Sequence, residues 1–189
     1  ADIVVLDLGL PDRDGQDVLK ELRQWSSVPV VVLTVRSGEE EKVALLDAGA
    51  NDYVTKPFGI EELMARIRAF LRTAHLRGTA GPIYDDGILR VDLAQREVRI
   101  SGEAIALTRK EFALLALLIQ QPGRLITQAQ LLRGVWGPSH EEDAHYLRIL
   151  VGKLRHKLHD DASAPRYIMT EPGVGLRFVG TEKPTDQKN

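Results

Sequence analysis

Three short apolar runs, each closed by a polar residue, constrain the first third of this chain more than any other feature. They are Asp2-Ile3-Val4-Val5-Leu6-Asp7, Val28-Pro29-Val30-Val31-Val32-Leu33-Thr34 and Asp52-Tyr53-Val54-Thr55-Lys56. Continuous apolarity suits strands covered on both faces of a sheet. Helical patterns separate and follow the runs: residues 17–25 carry Val18, Leu19 and Leu22, residues 39–48 carry Val43, Leu45 and Leu46, and residues 60–73 carry Leu63, Met64, Ile67 and Leu71. Ser37 and Glu40 predict a capping box at the start of the second helix. Strands alternating with helices predict a parallel α/β sheet.

The pattern changes after residue 73. Residues 74–86 hold Gly78, Gly81 and Pro82 among small and polar side chains and read as a linker. Short alternating segments at 88–93, 97–100 and 104–107 predict an antiparallel sheet. Three helices follow at 112–120, 131–135 and 144–158, each behind a capping-box pattern: Thr108 with Glu111, Thr127 with Gln130, and Ser139 with Glu142. Residues 166–170 and 176–179 flank a flexible Glu171-Pro172-Gly173-Val174-Gly175 tip and predict a β-hairpin. The polar tail at 181–189 is expected to be disordered. Two domains, 1–73 and 87–180, suit a chain of 189 residues.

The chain has no cysteine, which excludes disulfides and thiolate metal sites. No apolar run approaches a membrane-spanning length, no signal-peptide pattern is present, and the expected location is the cytoplasm. A net charge of −2 leaves a nucleic-acid partner undecided, so charge must be read segment by segment.

Ligands gather at the carboxyl ends of the strands in an open α/β sheet, where Asp7, Thr34 and Lys56 all fall. A carboxylate can attack phosphorus to give an acyl phosphate, while a hydroxyl and an ammonium hold the phosphoryl oxygens. Singly, each has a plainer explanation: Asp7 as a turn-opening residue, Thr34 as an ordinary strand end, Lys56 as surface charge. Their shared position argues for a site. Asp7-Leu8-Gly9-Leu10-Pro11-Asp12-Arg13-Asp14-Gly15 resembles the phosphoacceptor motif of response-regulator receiver domains, and Asn51-Asp52-Tyr53-Val54-Thr55-Lys56-Pro57-Phe58 resembles their closing motif. The resemblance implies that Asp7 is the acceptor, that Thr34 and Lys56 contact the phosphoryl group, and that Tyr53 is a switch aromatic that turns inward on activation. It further implies a cis Lys56–Pro57 bond and Mg2+ bound by Asp7 and the Gly9 carbonyl. Measured against the family pattern, the first two strands and helices are missing, together with an acidic metal-binding pair. The chain is therefore expected to be a truncated flavodoxin-like receiver that phosphorylates poorly by itself.

In the second domain, residues 144–158 place Ala144, Leu147, Leu150, Val151, Leu154 and Leu158 on one face. From His145 to Lys157 there are four Lys/Arg and no acids, while Glu141, Glu142 and Asp143 stand at the N-terminus, where the helix dipole favours them. Alone, such a helix is most simply a solvated charged face. Preceded by a short capped helix and followed by a hairpin, it fits a helix-turn-helix order with a wing. Leu107-Thr108-Arg109-Lys110-Glu111-Phe112-Ala113-Leu114-Leu115, Pro122-Gly123, Gln130-Leu131-Leu132, Val135-Trp136-Gly137 and Gly175-Leu176-Arg177-Phe178 resemble the winged-helix domain of the OmpR/PhoB family. His145-Tyr146-Leu147-Arg148-Ile149 and Trp136-Gly137-Pro138 resemble the branch of that family that controls the Kdp potassium-transport operon. The resemblance implies that Tyr146, Arg148, Ile149, Gly152, Lys153 and Arg155 meet DNA. Trp136 reads as a packing residue, and Glu171-Pro172 stands where many relatives carry a basic wing residue.

Lys42, Asp52, Glu62 and Arg66 match charged positions of the family's dimer face, which implies Lys42–Glu62 and Asp52–Arg66 pairs across a two-fold axis. The implied function is a phosphorylation-dependent transcription regulator and not an enzyme. Its implied partners are promoter DNA, a sensor histidine kinase, RNA polymerase and a second copy of the chain. The alternatives are an aspartyl-phosphate phosphotransferase or phosphatase, or an interaction module without DNA binding. Such phosphatases usually carry a second acid two residues after the nucleophile, where Gly9 stands here.

Overall fold

The computed structural model describes residues 1–76, 83–140 and 143–180. The first domain is a three-stranded parallel sheet in the order β1 (Val4–Asp7), β2 (Val30–Thr34), β3 (Asp52–Thr55). Its helices are α1 (Gly15–Trp25), α2 (Glu39–Asp47) and α3 (Ile60–Leu76). Asp7 pairs with Leu33, and Thr34 with Thr55, so the polar closing residues share one edge of the sheet. Leu6, Leu19, Val30, Val32, Leu45, Leu46 and Ala50 pack one face, and Val31, Val54, Leu63 and Phe70 the other. Asp14 caps α1 by accepting from the Gln16 amide at 2.9 Å. Gly15 follows because a Cβ there would stand 2.7 Å from the Leu8 side chain.

The capping box expected at Ser37 and Glu40 does not form. The cap position falls on Gly38, which has no side-chain acceptor, and three glutamates in the first turn meet the positive end of the helix dipole instead.

The second domain begins earlier than expected. Residues 83–85, assigned to the linker in the sequence reading, form β4 (Ile83–Asp85), because Ile83, Tyr84 and Asp85 pair antiparallel with Asp92, Val91 and Arg90. β5 (Leu89–Asp92), β6 (Glu97–Ile100) and β7 (Glu103–Ile105) complete a four-stranded antiparallel sheet. Residues 77–82 of the linker and the tail at 181–189 lie outside the described residues.

Helices α4 (Arg109–Gln120), α5 (Gln128–Trp136) and α6 (Ala144–Leu158) follow. The first two carry complete capping boxes at Thr108/Glu111 and Thr127/Gln130. The third expected box does not close on α6. The chain makes a 3-10 turn at Pro138–His140, Asp143 takes the cap position, and its carboxylate pairs with His140 Nδ1 at 2.8 Å instead of capping. Glu142 lies outside the described residues.

The hairpin β9 (Ile168–Glu171) and β10 (Gly175–Phe178) gains a third strand, β8 (Leu125–Thr127), which the sequence pattern did not show. Leu114, Leu115, Leu118, Leu131, Leu132, Leu154 and Phe178 form the centre of this domain's core, with Trp136 partly buried against it. The β8 strand also meets the first domain. The Leu125 amide donates to the Asn51 carbonyl at 3.0 Å, and Thr127 Oγ1 to Asp47 Oδ1 at 2.8 Å.

Candidate functional site

The parallel register brings Asp7, Thr34 and Lys56 together at the carboxyl edge of the first sheet. Asp7 Oδ1 accepts from the Gly9 amide at 2.8 Å, and Asp7 Oδ2 from Lys56 Nζ at 2.5 Å. The Lys56 ammonium and the Gly9 amide hold the Asp7 carboxyl below its usual range, so it is an anion available to attack an electrophile. Both side chains remain over 30% exposed, at 33% for Lys56 and 38% for Asp7, so a partner can reach them. Thr34 is buried, its Oγ1 accepting from the Arg36 amide at 3.0 Å. The Lys56–Pro57 peptide is cis.

Tyr53 faces inward, 6% exposed, with Lys42 Nζ 5.2 Å from its ring centroid. Its hydroxyl is buried without a hydrogen-bond partner among the described residues. Burial pushes this phenol up to about 12, with neighbouring Glu171 and Asp52 adding to the shift.

The implied metal ligands are few. Asp7 already accepts two hydrogen bonds, and among the described residues no group of three or more His, Asp or Glu could hold a metal ion. Asp7 and the Gly9 carbonyl do not by themselves make a Mg2+ site.

In the second domain α6 buries Leu147, Leu150, Val151, Leu154 and Leu158. Its outer face presents His145, Tyr146, Arg148, Ile149, Gly152 and Lys153. Arg148 and Lys153 make no ion pair among the described residues, and a Cβ on Gly152 would meet nothing within 4 Å. A basic, partly apolar ridge with an open backbone position can lie against a nucleic-acid groove.

The other two basic residues of α6 are engaged inside the domain. Arg155 Nη2 donates to the Ile168 carbonyl at 2.7 Å and to Thr170 Oγ1 at 2.9 Å, which ties α6 to β9. Lys157 Nζ reaches Glu111 Oε2 at 2.6 Å and the Ala106 carbonyl at 3.0 Å, which ties α6 to the start of α4. Asp160 accepts from the amides of Arg166, Tyr167 and Ile168 and so holds the entry to β9. Helical periodicity alone could not separate the bracing basic residues from the outward ones, because all four lie outside the main apolar stripe.

The four expected dimer residues are found on α2, β3 and α3, but their partners lie within one chain. Arg66 pairs with Asp52 at 2.8 Å and with Glu62 at 3.1 Å. Asp52 is 1% exposed and also receives both terminal nitrogens of Arg177, at 2.7 and 3.0 Å. Sequence reasoning had assigned no role to Arg177 beyond its place in a motif. The available signal was its position between Leu176 and Phe178, where strand alternation turns it away from the domain's own core.

Residues 1–68 match the family model described as response regulator receiver domain, and residues 102–178 match that described as transcriptional regulatory protein, C terminal. The chain is 50% identical over 178 residues to the KDP operon transcriptional regulatory protein KdpE of Escherichia coli, covering 94% of this chain and 79% of that protein. It is 46% identical over 182 residues to the transcriptional regulatory protein KdpE of Mycobacterium tuberculosis, with the same coverage. It is 44% identical over 185 residues to the sensory transduction protein RegX3 of Mycolicibacterium smegmatis, covering 95% and 80%. Among solved structures, the Thermotoga maritima response regulator DrrB, an OmpR/PhoB homologue, matches at 34% identity and a TM-score of 0.48, covering 95% of this chain and 80% of that one.

Proposed function

The chain belongs to the OmpR/PhoB family of two-component response regulators, and on that premise we propose that phosphoryl transfer to Asp7 controls how its second domain binds promoter DNA. The observation that carries this reading is the outer face of α6, where Tyr146, Arg148, Ile149, Gly152 and Lys153 stand clear of the domain core. In the proposed reaction, an Asp7 oxygen attacks the phosphorus of a sensor kinase's phosphohistidine, forming the acyl phosphate as the phosphorus–nitrogen bond breaks. Lys56 then exchanges its bond to Asp7 for one to a phosphoryl oxygen, and Thr34 contacts another. Family members use Mg2+ for this chemistry.

On the DNA side, Arg148 and Lys153 bind phosphates or a guanine edge, and Tyr146 and Ile149 meet the groove's apolar surface. Arg155 contributes by fixing α6 against β9. Phosphorylation favours a dimer through Lys42, Asp52, Glu62 and Arg66, which sets two recognition helices on tandem half-sites from which RNA polymerase is recruited. Similarity to the KdpE proteins supports a potassium-transport operon as the target and the cytoplasm as the place of action. No helix among the described residues is long and apolar enough to cross a membrane.

The test is the double variant R148E/K153E, measured by footprinting and by binding at several salt concentrations. Specific protection should be lost, and the slope of log affinity against log salt should fall by about two, roughly 0.9 for each phosphate contact removed. Unchanged specific affinity and salt slope would refute the assignment of α6 as the DNA-reading helix.

A further inference from the structure

The domains touch along β8 and at the tip of the hairpin, where Val174 packs in the same cluster as Leu45 and Leu46. Elsewhere the seam is open. Between α3 and the second domain lies a cavity of about 470 Å³, within the range of about 300–1,000 Å³ usual for small-molecule sites. Ile119 of α4, Met169 of β9 and Phe178 of β10 line it from the second domain, and Phe70 from α3. Ala65 and Ala69 lie one helical turn apart on the lining face of α3, and their small side chains leave the space unfilled.

The charged lining residues are Asp52, Arg66, Arg72 and Arg177. Arg177 gives both terminal nitrogens to Asp52. Arg66 gives Nη1 to Asp52 and Nη2 to Glu62, while its Nε is buried with no hydrogen-bond partner among the described residues. A buried donor in that condition is uncommon and suits an acceptor brought by a ligand. Asp52 and Glu62 thus offset Arg66 and Arg177. The Arg72 guanidinium makes no ion pair or side-chain hydrogen bond among the described residues, so nothing there offsets its charge. An apolar interior with an unmet donor and an unbalanced guanidinium along one side calls for an apolar body and an anionic head. The planar fork of arginine matches a carboxylate.

We infer that this cavity is a binding site for a small amphiphilic carboxylate, an aromatic or short-alkyl acid. Its carboxylate lies toward Arg66 and Arg72, and its apolar body lies against Ile119, Met169 and Phe178. A bare inorganic anion leaves the apolar walls uncovered, and a neutral hydrocarbon leaves both donors unmet. Neither Asp7 nor the outer face of α6 lines the cavity, so the inference does not rest on the phosphoryl transfer or DNA reading proposed above.

Methyl labelling of methionine with carbon-13 tests this in the full chain. Its two methionines are Met169, which lines the cavity, and Met64, which lies on α3 outside it. Titration with phenylbutyrate should shift the Met169 methyl resonance saturably, with a dissociation constant in the millimolar range or below, and leave that of Met64 in place. R72A removes no side-chain bond within the fold and should weaken binding about tenfold, the worth of one charge-assisted hydrogen bond. A69F fills the cavity and should abolish the saturable shift, and R72A keeps the test decisive should A69F fold poorly. Phenylbutanol, with the body and no charge, and acetate, with the charge and no body, should each bind at least about tenfold more weakly than phenylbutyrate. Absence of a saturable Met169 shift, or a shift retained in A69F, overturns the site. Unchanged affinity in R72A, or equal affinity for phenylbutanol, overturns the carboxylate.

Discussion

Glu111 performs two jobs with one carboxylate. It closes the capping box on Thr108 and receives Lys157 from α6 while only 2% exposed. Burial pushes its carboxyl up, but the Lys157 ammonium and the Thr108 amide outweigh burial and hold it below the usual range. A depressed carboxylate stabilises the fold above its unfolded value, about pH 4.3, and loses that contribution as pH falls through the folded value. K157M leaves a buried carboxylate without its counter-charge and should cost about 1–3 kcal/mol in urea unfolding at pH 7. The gap from wild type should narrow below pH 4 as Glu111 is protonated, and a gap independent of pH would assign Lys157 a packing role only. The capping half of this arrangement was legible in the sequence, because Thr-x-x-Glu is a local pattern. The Lys157 half was not, since nothing local links residue 157 to residue 111.

Among the elements, the parallel strands and the two regular capping boxes were legible because their signals are local: apolar runs, and a hydroxyl three residues before a glutamate or glutamine. The misread elements depended on distant partners. β4 forms because β5 offers it a register, and β8 because Gly175 lets β10 approach. At Gly175 an added Cβ would stand 1.8 Å from the Ile126 carbonyl oxygen, so only glycine permits this pairing. G175A should destabilise the second domain by about 3 kcal/mol through overpacking, seen as a lower melting temperature. An unchanged melting temperature would show that β8 shifts without cost. The Ser37/Glu40 and Ser139/Glu142 boxes failed for a simpler reason: the chain begins those helices at Glu39 and Ala144, which puts Gly38 and Asp143 at the cap.

For the whole molecule, the seam between domains decides what each site can reach. The Leu125 amide is hydrogen-bonded across it to the Asn51 carbonyl, whereas the Phe112 amide is bonded within its own domain to Thr108. R177Q should therefore speed hydrogen exchange at Leu125 and leave Phe112 unchanged. Equal acceleration at both would indicate general destabilisation of the second domain instead of separation. The seam was the least legible part of the candidate site. Asp52 and Arg66 were recognised as a charged pair, but their saturation by Arg177 depends on how two separately encoded domains meet.

The docked wing tip carries one more implication, for how such a regulator can diverge. Gly173 and Val174, which rest against the first domain, belong to the hairpin tip that a winged helix extends toward DNA. Gly173 combines a φ of 74° with close approach to the end of the Glu39 side chain, so a substitution there is strained by its backbone while Glu39 can swing aside. A substitution at this tip therefore acts on the contact between the domains as well as on the reach of the hairpin.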